Sequence, residues 1–387
     1  MKHFDRQKIR EIVLHSKNTN YLTHNFHPFP AKFIPQIPRI MITEFTKPND
    51  VVFDPFYGSG TTLVEAKLLG RNSIGTDLHP IGYFASKVKT TKIPEKQLGK
   101  IPAIVKKIEE EIQSIHKGGV VKKAYYAPDF FNRDHWFQKN VQTELAIIKA
   151  VTKKHAKDQS LQNFILNAMS AIIVQASNQN SETRYAAIEK NIPDGKTLQL
   201  FKTKLSDMVK RMQEFNKEAT NSTCDIYNKD TRMLDFLDDN SADFMVTSPP
   251  YPNTYDYYLY HKHRMFWLDL EWEHMKKDEI GSRLKHSSQR QGIEPYLNDM
   301  EACFSHFNRI LKKDGYFVFI IGDCIIAQQR YSGKDLTAKM IKKTGFKMVS
   351  ELNYELDDIS KLFVKAFRQK NKKEHIILLQ NVAHSKV

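Results

Sequence analysis

Between residues 50 and 77 the apolar positions follow first the continuous run of a buried strand, then a helical period, then a second strand. DVVFD, 50–54, is the first strand, and the glycine turn PFYGSG, 55–60, follows it. TTLVEAKLLG is a helix, for which Thr61 or Thr62 is the expected N-cap and Gly70 the stop. NSIGTD, 72–77, is a second strand that ends on an acid. This order predicts the βαβ unit of a parallel, doubly wound α/β sheet.

From about residue 95 to 220 the helical period dominates. IPAIVKKIEEEIQSIHK and LQLFKTKLSDMVKRMQEF predict amphipathic helices, and LQNFILNAMSAIIVQA predicts a more buried one. We therefore expect a mostly helical insertion at 95–220, between an N-terminal part at 1–94 and a C-terminal part at 221–387.

Strand patterns return after the insertion, in SADFMVTSPPY, DGYFVFIIGD, GFKMVSELNYEL and EHIILLQNV. The last two are joined by a basic linker rather than a long helix. They are therefore expected to form an antiparallel pair at one end of the sheet.

The charge balance is strongly basic. Lys and Arg number 59 against 44 Asp and Glu in 387 residues, a formal net charge of +15. Such a surface favours a polyanionic partner, because it gains affinity by releasing counterions from phosphates. A lysine-rich bias without any nucleic-acid role explains the same balance, so charge alone leaves both open.

The three cysteines, Cys224, Cys303 and Cys324, have no metal-ligand spacing and cannot all pair with one another. That usage suits a reducing cytoplasm. No apolar signal region begins the chain, and no apolar run approaches the length of a membrane span. We expect a cytoplasmic protein.

The glycine turn offers a place for a ligand. Gly58 and Gly60 allow close approach to the backbone just before a helix N-terminus, at the end of the strand that carries Asp54. The dinucleotide fingerprint is incomplete because position 63 is leucine, and no P-loop lysine follows. Asp77 ends the next strand, where an acid can accept both ribose hydroxyls. These parts favour a nucleoside without a phosphate bridge, S-adenosylmethionine, over an ordinary turn with a solvated acid.

A proline-punctuated arm, NFHPFPAKFIPQIPRIMITEF at 25–45, precedes the first strand. Its residues His27, Phe29 and Lys32 can fold over the glycine turn. From the residues alone, a wrapping arm that caps the sheet is the preferred interpretation.

The second motif is the proline corner, residues 248–251, which follows the strand DFMVT. Consecutive prolines make a stiff, extended corner that cannot donate to a sheet. Ser248 offers a hydroxyl oxygen, and Pro249, without an N–H, offers only its carbonyl. Two such acceptors can draw an exocyclic amine of a nucleobase toward a tetrahedral, nucleophilic form. Tyr251 offers a face on which a flipped-out base can stack. Methyl transfer is then a direct in-line displacement helped by positioning.

Together, DPFYGSGTT and TSPPY resemble the S-adenosylmethionine-dependent DNA amino-methyltransferases of the N4-cytosine and N6-adenine type. The resemblance implies the class I methyltransferase fold, a Rossmann-like doubly wound sheet. The arm resembles the family's motif beside the methionine end of the cofactor, and Asp230 in NKDTRMLDF matches the acid that meets the adenine amino group. The implied cofactor residues are Asp54, Phe56, Gly58, Gly60, Thr61, Asp77, Asp230, His27 and Lys32. The implied catalytic residues are Ser248, Pro249, Pro250 and Tyr251.

The serine form of the second motif is commoner in N4-cytosine enzymes, so cytosine N4 in double-stranded DNA is the expected target. The expected setting is a restriction–modification or similar defence system, with a cognate restriction endonuclease as the partner. Adenine N6 is the nearest alternative. More distant alternatives are a protein-glutamine or ribosomal-RNA methyltransferase, whose motif has Asn in place of Ser248, and a DNA-binding subunit with a vestigial cofactor fold. Carbon-5 cytosine enzymes fit less well, because no cysteine here follows a proline.

Two regions are candidates for DNA contact. GSRLKHSSQRQG, 281–292, carries Arg283, Lys285, His286 and Arg290 and no acid, and it favours phosphate or base contact over a solvated loop. The helical insertion is either a target-recognition region or a partner surface.

Two aromatic segments are expected to pack. In KKAYYAPDFFNRDHWF, 122–137, core or interdomain packing is preferred over base stacking. YDYYLYHKHRMFW, 255–267, is expected to form the pocket wall. Tyr255 and Tyr257 can neighbour a base or cofactor, but buried helix residues are the preferred interpretation. His261, Lys262 and His263 lack a suitably spaced carboxylate, so no metal site is predicted.

Overall fold

The computed structural model describes residues 4–355 and 372–382. Within them, seven strands form one sheet in the order β10-β11-β7-β6-β1-β2-β5. These strands are β1 Val51–Asp54, β2 Asn72–Asp77, β5 Cys224–Asn228, β6 Ala242–Thr247, β7 Leu311–Gly322, β10 Phe346–Glu355 and β11 Lys373–Asn381. Two short hairpins lie outside the sheet, β3 Gln179–Ser181 with β4 Arg184–Ala187, and β8 Cys324–Ile326 with β9 Gln329–Tyr331.

The predicted doubly wound α/β class is confirmed. The pairs β1–β2, β1–β6, β2–β5 and β6–β7 are parallel. The predicted antiparallel pair at one end is also confirmed, because β11 runs antiparallel to β10 on one side and to β7 on the other. The basic linker between β10 and β11 falls mostly at 356–371, outside the described residues.

Helices cover both faces of the sheet and build the insertion. They are α1 Arg6–His15, α2 Gln36–Phe45, α3 Thr61–Leu68, α4 Pro80–Thr90, α5 Glu95–Leu98, α6 Ile101–His116, α7 Arg133–Trp136, α8 Lys139–His155, α9 Gln159–Ile172, α10 Lys196–Glu218, α11 Tyr257–Leu268, α12 Met275–Asp278, α13 Glu294–Ile310 and α14 Gly333–Ile341. Among the described residues, none of these helices is both long and apolar enough to cross a membrane.

Strand β7 shows how the sheet separates two apolar layers. Phe317 and Phe319 pack with α13 and α14, whereas Val318, between them, packs with α1 and α2. This period of two is what a strand buried on both faces requires. The two layers fix the sheet, and therefore the strand ends at which the site is built.

The helices of the insertion pack around one apolar cluster, which they share with the arm, α3 and α4. In α6 the buried residues are Ile101, Ile104, Ile108 and Ile112, the spacing of one helix face, and they join the buried faces of α8, α9 and α10. The same cluster includes Phe26 of the arm and Trp267 of α11. The insertion is therefore packed against the arm and the wall of the cleft. The β3–β4 hairpin inside it was not predicted.

The expected threonine cap of α3 is wrong. Gly60 is the N-cap residue, with φ of +78°, and no side chain caps the helix. A Cβ at this position would also lie 2.7 Å from Ser86 Oγ. Position 60 needs glycine because the turn enters the helix in a left-handed conformation against α4. Gly70, with φ of +74°, follows the helix end as predicted.

Candidate active site

The glycine turn and the proline corner meet in one cleft of about 830 Å³ at the carboxyl ends of β1, β2 and β6. This edge is where open α/β sheets bind ligands. Eight of the predicted site residues line the cleft: Lys32, Phe56, Gly58, Thr61, Asp77, Asp230, Ser248 and Pro250. The side-by-side placement of the two motifs is what methyl transfer between a cofactor and an amine needs.

Asp77 holds the glycine turn in place. Its Oδ2 accepts a hydrogen bond from the Gly58 amide at 2.9 Å, and its Oδ1 accepts one from the His79 amide at 2.8 Å. Burial raises the pKa of Asp77 to about 6, although both amide bonds act to lower it. An ionised carboxylate has about four acceptor sites, so two remain for ribose hydroxyls.

Asp54 lies beneath the cleft rather than in its lining. Its Oδ1 accepts from Thr247 Oγ1 at 2.6 Å and from the Phe56 amide at 3.1 Å. Burial raises the pKa of the Asp54 carboxyl to about 7. Because Thr247 directly precedes Ser248, Asp54 joins the start of the glycine turn to the proline corner. Its position is that of a structural link.

The arm folds over the glycine turn. The Phe29 ring would be 3.3 Å from a Cβ at position 58, which explains why Gly58, with φ of +50°, has no side chain. Lys32 lines the cleft, and its Nζ donates to the His24 carbonyl at 3.1 Å. Burial lowers the pKa of Lys32 to about 8. The arm also packs on the sheet through α2, so it both caps the sheet and walls the cleft.

His27 does not reach the cleft. It is fully buried, with Nε2 2.9 Å from Ser170 Oγ of α9 and Nδ1 2.8 Å from the Pro28 carbonyl. Burial and nearby cations keep its pKa well below the ordinary value. The histidine joins the arm to the insertion. Phe29, two residues along the arm, lines the cleft, and the motif alone does not reveal that the two side chains have different surroundings.

Asp230 lines the cleft with a carboxylate that is already oriented by Arg232. The guanidinium donates from Nη2 to Asp230 Oδ2 at 2.6 Å and from Nε to Oδ1 at 3.0 Å. Arg232 also bonds Asp299 at 2.8 Å and the Asp278 carbonyl at 3.0 Å. The motif is thereby tied to α13 and to the segment after α11.

In the proline corner, Ser248 and Pro250 face the cleft, whereas Pro249 and the Tyr251 ring are not part of its lining. Ser248 Oγ donates to Tyr251 Oη at 3.2 Å, and Tyr251 Oη donates to Glu374 Oε1 at 2.7 Å. The tyrosine hydroxyl is therefore held by β11. The described structure gives Tyr251 an anchoring contact, and its stacking role stays a prediction.

The segment predicted to form the pocket wall is α11, which reaches the cleft through its first residue, whereas Tyr255 is not part of the lining. Tyr257 at its start lines the cleft and stacks on Phe29 with ring centroids 5.7 Å apart. Its amide donates to Glu279 Oε1 at 2.8 Å, so Glu279 caps the helix from a distant segment. Burial raises the pKa of Glu279, another lining residue, to about 8. Nothing in the sequence around Glu279 marks it as a cap.

His261 and His263 are buried packing residues on α11. His261 stacks on Phe29 at 4.8 Å, and His263 Nδ1 lies 3.1 Å from Gln179 Oε1. Across residues 4–355 and 372–382, no group of three or more possible metal ligands comes together.

The basic segment 281–292 contains one π-helical turn, Leu284–Ser288. Arg283 and Arg290 are exposed. Lys285 Nζ donates to the Glu279 carbonyl at 2.8 Å, and the buried His286 ring bonds the Gln291 carbonyl at 3.1 Å. The four basic residues thus divide into an exposed pair and a pair that holds the turn against the cleft wall.

The segment 122–137 packs only in part. Phe130 stacks on Phe266 at 4.3 Å, and Trp136 lies 4.7 Å from His263, both on α11. Tyr126 and Phe131, however, are 65% and 86% exposed. For these two residues the packing prediction is wrong, because the segment passes along the surface and leaves their side chains exposed.

The cleft fits S-adenosylmethionine by its own chemistry. Asp77 keeps two acceptor sites for a ribose, Gly58 permits backbone approach, and Phe29 and Lys32 of the arm close the turn from above. Gly60 contributes by conformation alone, since it is not part of the lining.

Comparisons with known proteins relate the chain to methyltransferases. A family model described as DNA methylase matches residues 4–83, which hold the arm, the glycine turn and Asp77. The type II methyltransferase M.MvaI of Kocuria varians is 30% identical over 325 residues, 77% of this chain and 70% of the relative. The type II methyltransferase M.MjaII of Methanocaldococcus jannaschii is 22% identical, over 88% of this chain and 77% of the relative. A solved S-adenosylmethionine-dependent methyltransferase from Methanosarcina mazei covers 89% of this chain and 98% of its own, with 8% identity and a TM-score of 0.37.

The relationship to M.MvaI, together with the family match over the cofactor half, shows the family and its cofactor, S-adenosylmethionine. The chain belongs to the N6/N4 DNA methylases, the DNA methyltransferases to which the type II methyltransferases are related.

Proposed function

We propose that this chain transfers a methyl group from S-adenosylmethionine to the N4 amine of a cytosine swung out of double-stranded DNA. The observation that carries the proposal is the position of Ser248, which lines the same cleft as Gly58 and Asp77. A serine at the head of the proline corner is the form commoner in N4-cytosine enzymes.

The chemistry follows from what the proline corner presents. S-adenosylmethionine, when bound, supplies an electrophilic methyl group on a sulfonium. Ser248 Oγ donates its proton to Tyr251, so its lone pairs are free to accept from an amine N–H. In this proposal the Pro249 carbonyl is the second acceptor, although Pro249 is not part of the cleft lining in this structure. Two such bonds localise the lone pair on the amine nitrogen, and the rigid corner fixes its direction of attack.

Labelling separates the target bases. Duplex DNA is incubated with tritiated cofactor, digested to nucleosides and resolved by chromatography. We expect the label in N4-methyldeoxycytidine, and incorporation at least about 10²-fold slower with a Ser248→Ala variant. Label in N6-methyldeoxyadenosine alone would overturn the cytosine assignment. Label in ribosomal RNA or protein, with none in DNA, would overturn the DNA assignment.

The basic segment supports a DNA-contacting role for Arg283 and Arg290, the exposed pair. In this proposal they contact phosphates, while Lys285 and His286 keep the turn in position. Arg290→Ala should weaken DNA binding about equally for all sequences and lower the salt dependence of binding by roughly one phosphate contact. An unchanged salt dependence would remove Arg290 from the interface.

The helical insertion is proposed as a second DNA-contacting region and as the source of target recognition. Its exposed Tyr126 and Phe131 lie on a segment braced against α11, whose first residue lines the cleft. Phe131→Ala should weaken duplex binding without changing cofactor affinity, whereas exposed Val349→Ala on β10 serves as the matched control. A change in oligomeric state instead would make this surface a protein interface.

The relatives are named type II methyltransferases, which supports a role in a restriction–modification system with a cognate endonuclease. Host DNA sequenced for methylated bases should show one modified sequence. DNA that a cognate endonuclease normally cuts should become resistant to that endonuclease after methylation by this chain.

A further inference from the structure

A chain of hydrogen bonds leads from the cleft to a half-buried carboxylate on β11. Ser248 Oγ lies 3.2 Å from Tyr251 Oη, which lies 2.7 Å from Glu374 Oε1. The other carboxylate oxygen of Glu374 accepts from the Tyr354 hydroxyl of β10. We call Ser248, Tyr251 and Glu374 the hydroxyl chain. Only Ser248, its first member, lines the cleft.

The direction of the hydroxyl chain is fixed by proton counting. An ionised carboxylate only accepts, so the single Tyr251 proton points to Glu374. Ser248 must then donate to Tyr251, which leaves both Ser248 lone pairs for another donor. Without Glu374 the Tyr251 hydroxyl is free to donate to Ser248, and the serine proton is free to turn toward the cleft.

The sheet is shaped for this contact. Tyr354, Glu374 and Gly322 are cross-strand neighbours on β10, β11 and β7. A Cβ at position 322 would lie 2.9 Å from the Tyr251 ring, so the glycine lets that ring lie over the sheet and reach Glu374. The arrangement brings together residues from three separate parts of the sequence.

Among residues 4–355 and 372–382, three titratable side chains are recorded as acting on Glu374. Tyr251 and Tyr354 donate to it, and the charge of His375, its neighbour on β11, lowers its pKa. Its pairing partner on β7 is the uncharged Gly322. His375 is itself bonded to Asp323 at 2.9 Å and to Glu351 at 2.8 Å. Burial raises the pKa of Glu374 above its ordinary value, while the two tyrosine bonds act against that rise.

We infer that Glu374 is a positioning residue that orients Ser248 through Tyr251 and takes up, along the hydroxyl chain, the proton that the target amine loses. The inference rests on the proposed function. As the amine nitrogen bonds the methyl carbon, the bond from that carbon to the cofactor sulfur breaks, and the nitrogen then carries one proton too many. That proton passes to Ser248 Oγ, the Ser248 proton to Tyr251 Oη, and the Tyr251 proton to Glu374 Oε1.

The first test replaces the carboxylate. Glu374→Gln should lower single-turnover methylation by roughly 10²-fold, the lower end of general acid–base effects. Cofactor affinity by calorimetry and the melting temperature should stay near wild type. Glu351→Gln is the matched control, because Glu351 bonds His375 on the same strands but lies outside the hydroxyl chain. A Glu374→Gln enzyme that keeps the wild-type rate would overturn the inference.

The pH profile separates this role from a merely structural one. Only ionised Glu374 accepts the proton, so the wild-type rate should rise with pH through its pKa, and Glu374→Gln should lack that limb. Tyr354→Phe removes a bond that favours the ionised form, so it should move the limb to higher pH. Infrared spectroscopy should show a protonated carboxyl band that disappears over the same pH range in wild type, shifts with Tyr354→Phe and is absent in Glu374→Gln. A band that titrates without any matching limb in the rate would contradict the inference.

A double variant tests whether Tyr251 and Glu374 act together. Tyr251→Phe breaks the hydroxyl chain at its centre, so the Tyr251→Phe/Glu374→Gln double variant should be no slower than the slower single variant. Multiplied losses would show that the two residues act separately and would overturn the inference. Label in adenine rather than cytosine would contradict the proposed function only, since an adenine amine loses the same proton, whereas loss of all DNA labelling in wild type would end both.

Discussion

The glycine turn and the proline corner line one cleft but are held in different ways. The glycine turn is fixed by backbone amides donating to Asp77, which is 19 residues from Gly58 and two from His79. The proline corner is fixed by side-chain hydroxyls that reach Glu374, 123 residues beyond Tyr251. The cofactor side is therefore built from local contacts, and the reacting side depends on the far end of the sheet.

This difference separates binding from chemistry in physical terms. Amide-to-carboxylate bonds hold a shape, and they do not change as the reaction proceeds. The hydroxyls of the proline corner can exchange protons, so their arrangement bears on the reacting state. The bond from Thr247 Oγ1 to Asp54 Oδ1 links the two regions directly. Substitutions on each side, and at this link, test how separate the two regions are.

The largest effect is expected at Ser248. Ser248→Ala removes the acceptor that faces the target amine and should lower kcat by about 10²-fold or more. Cofactor affinity should stay within a few fold of wild type, because the bonds to Asp77 remain. Rapid-quench methylation and calorimetric titration measure the two quantities. Weakened cofactor binding with normal kcat would mean that the cofactor side and the reacting side of the cleft have been assigned the wrong way round.

Much of the fold could be predicted because its signals are local. The bounds of β2 were predicted to the residue, and the helix between β1 and β2 was predicted as α3. The N-cap of α3 was not predicted, since the need for glycine at position 60 depends on the approach of Ser86 from α4. The β3–β4 hairpin was missed because its strands are three and four residues long and carry no alternating pattern.

The site could be predicted only where the functional residues belong to a recognisable sequence motif. Asp77 and Ser248 lie in the cleft because strand ends converge at one sheet edge. Glu374 and Glu279 could not be predicted, since each acts on a residue far along the chain and neither belongs to a recognisable motif. His27 was assigned to the cofactor by its motif, but it points into the insertion. A motif marks a segment, whereas the direction of each side chain depends on packing.

The second largest effect is expected at Asp77. Asp77→Ala removes the acceptor of two amide bonds and of the expected ribose hydroxyls, so cofactor affinity should fall by roughly 10- to 100-fold. At saturating cofactor the rate should recover to within a few fold, because the proline corner is unaffected. Asp225→Ala, an exposed acid on the adjacent β5, is the control. A rate that stays low at saturation would show that the glycine turn also positions the reacting groups.

The smallest effect, and the one that probes the link itself, is expected at Thr247. Thr247→Val keeps the shape but removes the donor to Asp54, so it should cost about 1–3 kcal/mol of unfolding free energy when Asp54 is ionised. The bond to Thr247 lowers the pKa of Asp54, which burial holds at about 7. A carboxyl whose folded pKa lies above its unfolded value loses stability as pH rises toward the folded pKa. In the valine variant that pKa is higher still, so its stability keeps falling after the wild type has levelled off. The difference in unfolding free energy should therefore be small at pH 5 and largest above pH 8, measured by urea titration.

Thr247→Ser retains the hydroxyl, and its unfolding free energy should match that of the wild type across the pH range. A valine variant whose stability cost is independent of pH would show that the bond does not depend on the ionisation of Asp54, and one with no cost at any pH would mean that the two regions are joined by packing alone.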